Sequence, residues 1–181
     1  MANCGDEAPS RDMIYHHRNT PLAAHPEFTG RDVAAGIWDV GMPNLQQIML
    51  ISLYWDGKHS ALPAKFIDCL KWCRDKKIPV HIGGDVNAHS TLWGGRNDTW
   101  RGNLIMQLMF EYDLVLINEG DVATFHVAGK SSVIDLTMTS PECIEYISSW
   151  GIITKANGSD HRTIETRYFT EAPEKVFHEG C

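Results

Sequence analysis

The sequence lacks the segments that would insert it into a membrane or send it to a secretory route. No apolar run among its 181 residues approaches the ~18 residues that a bilayer-spanning helix needs. The opening residues, MANCGDE, hold no basic stretch followed by an apolar block, so a secretory signal is not expected. These absences predict a protein of the nucleus or cytoplasm that does not contact a membrane.

A disulfide framework is missing as well. The five cysteines are an odd number, and their spacing shows no paired pattern. Cys69 and Cys73 lie one helical turn apart in a segment that reads as amphipathic, with no further Cys or His nearby to complete a zinc site. We therefore interpret them as buried, reduced thiols, which fits a reducing compartment.

Basic residues are fewer than acidic ones, whereas proteins that bind nucleic acid usually carry a basic face. The chain has 16 Lys and Arg against 23 Asp and Glu, which gives a net charge of −7. This balance predicts weak, salt-sensitive DNA binding through few phosphate contacts. Locally segregated charge, or a bound cation that shields carboxylates, would still allow such binding.

The glycine motifs of common nucleotide-binding folds are also absent. Neither a GxGxxG unit that opens a helix nor a GxxxxGK[ST] sequence is present. Instead, many short β-rich runs alternate with two or three helical patterns, which predicts an α/β protein built on packed sheets. The predicted strands are 31–39, 46–55, 79–82, 114–117, 123–127, 133–139, 150–154 and 162–169; the predicted helices begin near Pro63, at residue 100 and at Pro141.

Polar side chains follow the predicted strand at 79–82, in the run GGDVN. If the backbone stays extended, Asp85 and Asn87 point to the same face and project into one cleft. Gly83 and Gly84 would let another backbone or a ligand come close. The alternative is an Asx-rich turn, in which the two side chains only cap the local backbone.

Two further acidic and imidazole groups occur later in the chain. Asp135 is predicted to lie in mid-strand between Ile134 and Leu136, where a carboxylate is costly to bury without a partner. His161 offers that partner, since a carboxylate is a common way to orient an imidazole. The alternative for His161 is an ordinary surface histidine in a loop. Tyr54, at the end of the predicted apolar strand 46–55, could likewise be an ordinary core aromatic.

These motifs together resemble the exonuclease–endonuclease–phosphatase (DNase I-like) superfamily and, within it, the endonuclease domain of non-LTR retrotransposons. The similarity runs from about residue 31 to residue 169, in the order found in the family. The motifs that carry it are Ser52-Leu53-Tyr54, Gly84-Asp85-Val86-Asn87-Ala88-His89, Leu92-Trp93-Gly94, Ala123-Thr124-Phe125, Ser132-Val133-Ile134-Asp135-Leu136 and Ser159-Asp160-His161-Arg162.

The resemblance implies a fold and a division of the chain. The fold would be a four-layer α/β sandwich of two mixed β-sheets flanked by helices, lacking the first strands. An irregular segment, 1–30, would precede the endonuclease-like domain at 31–170, and a polar tail, 171–181, would follow it.

The resemblance also implies a Mg²⁺- or Mn²⁺-dependent endonuclease that nicks DNA. DNA would be a partner, together with a reverse transcriptase domain on a longer parent polyprotein. Asp85 and Asp160 would be close to the metal, and Asn118 would be a secondary site residue. The implied catalytic residues are Tyr54, Asp85, Asn87, Asp135 and His161.

One part of the family pattern is missing. Members also place an asparagine and a metal-binding glutamate on the first two strands, and residues 1–30 do not resemble those strands. Neither Glu7 nor Glu27 lies in an apolar, strand-like context. Two alternatives to the nicking enzyme follow: an inactive remnant of the domain that binds nucleic acid or protein, and a phosphatase that acts on small phosphate esters.

Overall fold

The computed structural model describes residues 9–120, 122–155 and 158–169. Glu7 and the predicted tail at 171–181 lie outside them. Within these ranges the strands are β1 (Leu22–Ala24), β2 (Val33–Met42), β3 (Leu45–Tyr54), β4 (Val80–Asp85), β5 (Val115–Leu116), β6 (Phe125–Val127), β7 (Lys130–Ser132), β8 (Asp135–Thr139), β9 (Ile147–Ile153) and β10 (Thr163–Tyr168). The helices are α1 (Ala64–Lys76), α2 (Trp100–Glu111) and α3 (Pro141–Ile144), with a 3₁₀ turn at Thr91–Trp93.

Six strands form the main sheet, in the order β1-β2-β3-β4-β8-β5. β2 and β3 are the hairpin that the turn signal at residues 41–44 indicates, and they pair antiparallel. β3 and β4 pair parallel, because α1 carries the chain back between them. The sheet is therefore mixed, and with its few helices it confirms the predicted α/β class.

The helices cover one face of this sheet. The buried face of α1 consists of Phe66, Cys69, Leu70 and Cys73, and the thiols of Cys69 and Cys73 are buried and free, as predicted. α2 begins at a Thr99 cap, whose hydroxyl accepts a hydrogen bond from the Gly102 N–H at 3.1 Å. Ile105 and Leu108 of α2 join α1 in the core. None of the described helices combines the length and apolar character that crossing a bilayer requires.

The opposite face of the sheet meets a smaller second sheet, the β9–β10 hairpin. The Trp150 indole N–H donates to the Thr137 hydroxyl at 3.0 Å and ties the hairpin to β8. A groove of about 680 Å³ remains between β10 and this face of β3, β4 and β8. The groove matters because the side chains predicted to carry chemistry lie on the same face.

Two strands were not predicted, and the start of a third differs from the prediction. β1 lies in the segment that was expected to be irregular, and β7 pairs with β6 in a hairpin that was not foreseen. The prediction that Asp135 lies in mid-strand is wrong, because β8 begins at Asp135. The N–H groups of Ile134 and Asp135 instead donate to the hydroxyl of Thr124, each at 3.1 Å.

Candidate active site

Three side chains stand in one row across neighbouring strands. Tyr54 ends β3, Asp85 ends β4 and Asp135 begins β8. Tyr54 is in register with Asp85, and Asp85 is in register with Asp135. Residues directly opposite each other share a face of the sheet, so a phenol and two carboxylates are placed side by side.

The carboxyl of Asp85 is partly buried and has a raised pKa. Burial raises the pKa of its carboxyl to about 6, a rise that the N–H of Asn87 opposes and the nearby Asp135 increases. The Asn87 N–H donates to Oδ1 at 2.9 Å, and the Asn87 amide donates to Oδ2 at 3.0 Å. A carboxylate whose pKa is close to neutral accepts a proton more readily than an exposed one does.

Asn87 reaches Asp85 by a different geometry from the one predicted. Its φ of 45° is left-handed, so the expectation of an extended backbone from Asp85 to Asn87 is wrong. The Asx turn that was the alternative is what forms, and it is compatible with a site, because both amide hydrogens are directed inward. One donates to Asp85, and the other is 3.2 Å from the carbonyl of Trp55.

Asp135 and His161 are brought together as predicted. Nδ1 of His161 lies 3.0 Å from each carboxylate oxygen of Asp135. The His161 side chain keeps 35% of its surface exposed, so the imidazole is held and yet accessible. The ring of Phe125 lies 4.8 Å from it, and the backbones of the two residues form a β-bridge.

Asn118 holds the backbone beneath this pair. Its amide donates to the carbonyl of Asp135 at 3.0 Å, and its Oδ1 accepts from the N–H of Thr137 at 2.7 Å. Thr124 supports the same strand end from the other side and is fully buried. Thr124 was not predicted as a site residue, although it lies in the Ala123-Thr124-Phe125 motif. Both residues position Asp135.

Asp160 lies in the loop between β9 and β10, outside the row of Tyr54, Asp85 and Asp135. Its side chain is exposed, and its backbone carbonyl accepts from the N–H of His126 at 2.8 Å. The bond fixes the loop that carries His161. The role of Asp160 as a metal ligand stays a prediction.

Arg11 is a residue that the sequence analysis missed. Its guanidinium binds Asp32 at 2.7 Å and Asp56 at 2.6 Å, and its Cζ lies 4.6 Å from the centre of the Tyr54 ring. Burial, with Asp56 and Asp85, raises the pKa of Tyr54, so its phenol keeps its proton at neutral pH. No pattern in the irregular segment around Arg11 could have indicated this contact.

The side chains present fit a divalent metal in type but fall short in number. Asp85, Asn87 and Asp160 offer the oxygen atoms that Mg²⁺ prefers. Among residues 9–120, 122–155 and 158–169, however, no three His, Cys, Asp or Glu side chains are arranged to hold an ion. The carboxylate of Asp12 instead accepts from the hydroxyl of Ser52, and Glu27 lies beside Lys65. The described residues therefore do not form a complete metal site.

Comparisons with known proteins identify the family to which this chain belongs. A profile described as endonuclease-reverse transcriptase matches residues 48–165, which is more than half of the chain. This chain belongs to the endonuclease-reverse transcriptase family. The matched range includes every residue that was predicted to be catalytic, and it confirms the resemblance found in the motifs. Among proteins with curated descriptions, none matches the sequence.

Solved structures agree with the family. The endonuclease domain of TRAS1, a telomere-specific non-LTR retrotransposon, superposes with a TM-score of 0.68 at 27% identity, over 81% of this chain and 65% of that one. An AP endonuclease from Leishmania major gives a TM-score of 0.60 at 12% identity, over 82% of this chain and 61% of that one. The 3' phosphatase NExo from Neisseria, bound to product DNA hairpin, gives a TM-score of 0.53 at 14% identity, over 84% of this chain and 71% of that one.

These likenesses define the fold of the chain. It is a DNase I-like fold, and the chain spans less than two thirds of the TRAS1 and Leishmania structures that it matches. The family and the fold are those of nucleases, whose general chemistry is the hydrolysis of phosphodiester bonds.

Proposed function

We propose that this chain hydrolyses phosphodiester bonds in DNA, as a nicking endonuclease of the retrotransposon type. The observation that carries the proposal is the Asp135–His161 pair, with Nδ1 at 3.0 Å from both carboxylate oxygens, beside the partly buried carboxylate of Asp85. A base and an oriented imidazole on one face of a sheet meet the needs of attack on an anionic ester.

Each side chain has a role that follows from its contacts. Asp85, with a pKa of about 6, accepts a proton from the attacking water or orients it. Asn87 holds that water or a phosphate oxygen, and its Oδ1 suits the water because both amide hydrogens are already used. His161, held by Asp135, stabilises charge on the phosphoryl oxygens. Tyr54 donates its proton in a hydrogen bond to the phosphate or the leaving group.

The proposal includes a requirement for Mg²⁺ or Mn²⁺. Such an ion offsets the negative charge that repels a nucleophile from a phosphodiester. Asp85 and Asp160 are the candidate ligands in this chain. Since carboxylate count sets much of the affinity of such a site, the shortage of ligands among the described residues predicts weak binding of the ion.

Conversion of supercoiled plasmid to the nicked form tests the proposal. The wild-type chain is assayed with Mg²⁺, with Mn²⁺ and with a chelator, beside Asp85→Ala and His161→Ala. Asp75→Ala and His16→Ala are matched controls, because both side chains are exposed and lie outside the row. Metal-dependent nicking that persists in the controls and disappears in the two site variants is the expected result. Equal nicking in all five proteins would point to a contaminant and reject the proposal.

A second candidate is a catalytically inactive domain that binds nucleic acid or protein. The observation in its favour is the lack of a three-ligand cluster among the described residues. It predicts that a gel-shift assay detects DNA binding, weakening as salt rises, while no metal supports nicking. Nicking that depends on Asp85 would exclude it.

The family description also suggests a partner. A reverse transcriptase domain on a longer parent polyprotein would supply the polymerisation that an endonuclease alone cannot perform. A DNA substrate of this kind fits residence in the nucleus or cytoplasm. Mass spectrometry of the endogenous protein would test the partner, since peptides of a reverse transcriptase on the same polypeptide are expected.

A further inference from the structure

Arg101 is a buried cation that the proposed chemistry does not use. It lies in the first turn of α2 with 7% of its surface exposed. Every hydrogen bond that the structure describes for its guanidinium ends on a backbone carbonyl. The acceptors are Asn87 at 2.8 Å, His59 at 2.7 Å, Trp55 at 2.9 Å, Val86 at 3.0 Å and, more weakly, Asp56 at 3.4 Å.

This arrangement uses the whole donor capacity of the side chain. A guanidinium has five N–H groups in a fixed, planar fork, and here five carbonyl oxygens surround it. Its Cζ also lies 3.4 Å from the centre of the Trp55 ring, within cation–π distance. Burial lowers the pKa of Arg101, and the charges of Asp85 and Asp56 partly offset that effect. The cation is therefore compensated by dipoles and a ring rather than by a direct ion pair.

The carbonyl acceptors belong to two loops. Trp55, Asp56 and His59 follow β3 directly after Tyr54, whereas Val86 and Asn87 follow β4 directly after Asp85. The carbonyl of Trp55 accepts from Arg101 and from the Asn87 amide, so the loops are joined at this atom. A single side chain therefore connects the ends of the two strands that carry the phenol and the base.

We propose that Arg101 is a positioning residue of the active site, which fixes Asn87 and Asp85 relative to Tyr54. The inference rests on the proposed function. The bond from Nε to the carbonyl of Asn87 holds that residue in its left-handed conformation, and in that conformation the Asn87 N–H and amide reach both oxygens of Asp85. Without the fork, the loop after β4 relaxes and the base loses its orientation.

Arg101→Lys is the variant that tests this role in catalysis. Lysine keeps the charge and the helical propensity but cannot reach five acceptors in one plane. We expect kcat to fall on the order of tenfold to a hundredfold with little change in KM, because a small misplacement of a reacting group carries a cost of that size. Thr139→Val is the matched control. It removes a buried hydroxyl that donates to the carbonyl of Val80 at 2.8 Å, at the far end of β4, and it should lower Tm without lowering kcat.

Hydrogen exchange provides a reading that does not depend on activity. In Arg101→Lys, peptides that cover residues 54–60 and 84–90 should exchange faster, while peptides from α1 should exchange as in the wild type.

Chemical rescue gives a third test. Guanidinium ion at a non-denaturing concentration should restore part of the activity of Arg101→Ala and part of its protection from exchange. It should not affect Thr139→Val. If the wild type proves inactive, the proposed function fails, while exchange still decides the positioning role.

Three outcomes would contradict the positioning role of Arg101. A folded Arg101→Lys variant with kcat within about twofold of the wild type, a change too small to reflect a lost contact in the transition state, would overturn the proposal. Faster exchange spread evenly over the chain would do the same, because it would assign Arg101 to general stability. If the Arg101 variants do not fold at any temperature while Thr139→Val does fold, Arg101 would likewise be assigned to general stability.

Discussion

Asp85 and Asp135 lie directly opposite each other on antiparallel strands, at the edge of the sheet where β4 ends and β8 begins. The charge of Asp135 adds to the rise in the pKa of Asp85. Asp135 also has the imidazole of His161 at 3.0 Å, whereas Asp85 has the N–H groups of Asn87 as its hydrogen-bond donors. The two carboxylates therefore have different surroundings, which fits the roles proposed for them, a base for Asp85 and support of the imidazole for Asp135.

The pKa of Asp85 predicts the acid side of the pH–rate profile. Because a base works in its ionised form, kcat/KM should rise with pH and level off above a midpoint near the value of about 6 that burial gives this carboxyl. Nicking rates over a pH series, with the DNA well below saturation, measure the midpoint. Asp135→Asn should lower the midpoint by removing the second charge. A wild-type midpoint near 4 would show that Asp85 is not the group observed.

The same shift predicts how Asp85→Asn changes the dependence of stability on pH. A carboxyl whose pKa rises from 3.8 to about 6 on folding holds its proton more tightly in the folded state, so stability falls as pH rises through that interval. The cost is complete above pH 6 and absent below about 4. The amide of Asp85→Asn does not titrate, so from acid to neutral pH the variant should gain on the order of 2 kcal/mol in the free energy of unfolding relative to the wild type. Its NH2 group cannot accept from the Asn87 amide as Oδ2 does, which lowers its stability equally at both pH values.

Urea unfolding of the wild type and Asp85→Asn, at acid and at neutral pH, checks the sign. The free energy of unfolding of the variant should rise relative to that of the wild type from the lower to the higher pH. Asp12 is a second, partly buried carboxyl with its pKa raised to about 6, so part of the slope remains in the variant. A difference between the two proteins that does not change with pH would contradict the expected environment of Asp85.

Asp135 is expected to act through His161. His161→Ala should lower kcat by about 10²- to 10³-fold, the usual range for losing one group that stabilises charge in the transition state. Asp135→Ala should cause a similar loss, and the double variant should be about as slow as His161→Ala alone, since the carboxylate has no imidazole left to orient. A double variant much slower than either single variant would show that the two residues work independently.

The sequence identified the candidate site residues because several of them lie at strand ends. Asp85 comes after an apolar run and two glycines, and Asp135 sits among apolar residues where an unpaired carboxylate would be costly; both signals are local. The pairing of Asp135 with His161 joins residues 26 positions apart and was predicted from chemical need. The fold class followed in the same way, from short β-rich runs and two amphipathic helices.

The features that the sequence did not predict involve contacts between residues distant in the chain. The carbonyl of Asn87, whose backbone is left-handed, accepts from Arg101, and the N–H of Asp135 at the start of β8 donates to the hydroxyl of Thr124. Arg11 reaches Tyr54 from a segment without periodicity, so only the folded chain reveals it. Sequence patterns predict which strand carries a side chain better than they predict what holds it in place.

Asn118→Ala should weaken the support of Asp135. The change removes one donor to the Asp135 carbonyl and one acceptor for the Thr137 N–H, and leaves both groups without these partners. We expect a loss of about 1–3 kcal/mol in the free energy of unfolding and a fall in kcat. Asn118→Asp keeps the acceptor but sets a carboxylate oxygen against the Asp135 carbonyl, so it should not recover the lost stability. Thermal unfolding and nicking rates measure both effects, and equal stability of the three proteins would contradict the role given to Asn118.

Gly83 and Gly84 make a matched pair for the last prediction. A Cβ on Gly84 would lie 1.9 Å from the carbonyl oxygen of Leu53 on β3, whereas a Cβ on Gly83 meets nothing within 4 Å. Gly84→Ala must therefore push β4 away from β3 and separate Asp85 from Tyr54, with a cost of about 1–3 kcal/mol or more, as for overpacked cores. Gly83→Ala should be close to neutral in stability, since the new methyl group enters the groove. Thermal unfolding of both variants, followed by nicking assays on those that fold, separates the two positions. Equal destabilisation by the two alanines would show that β3 and β4 do not approach as closely at Gly84 as this fold requires.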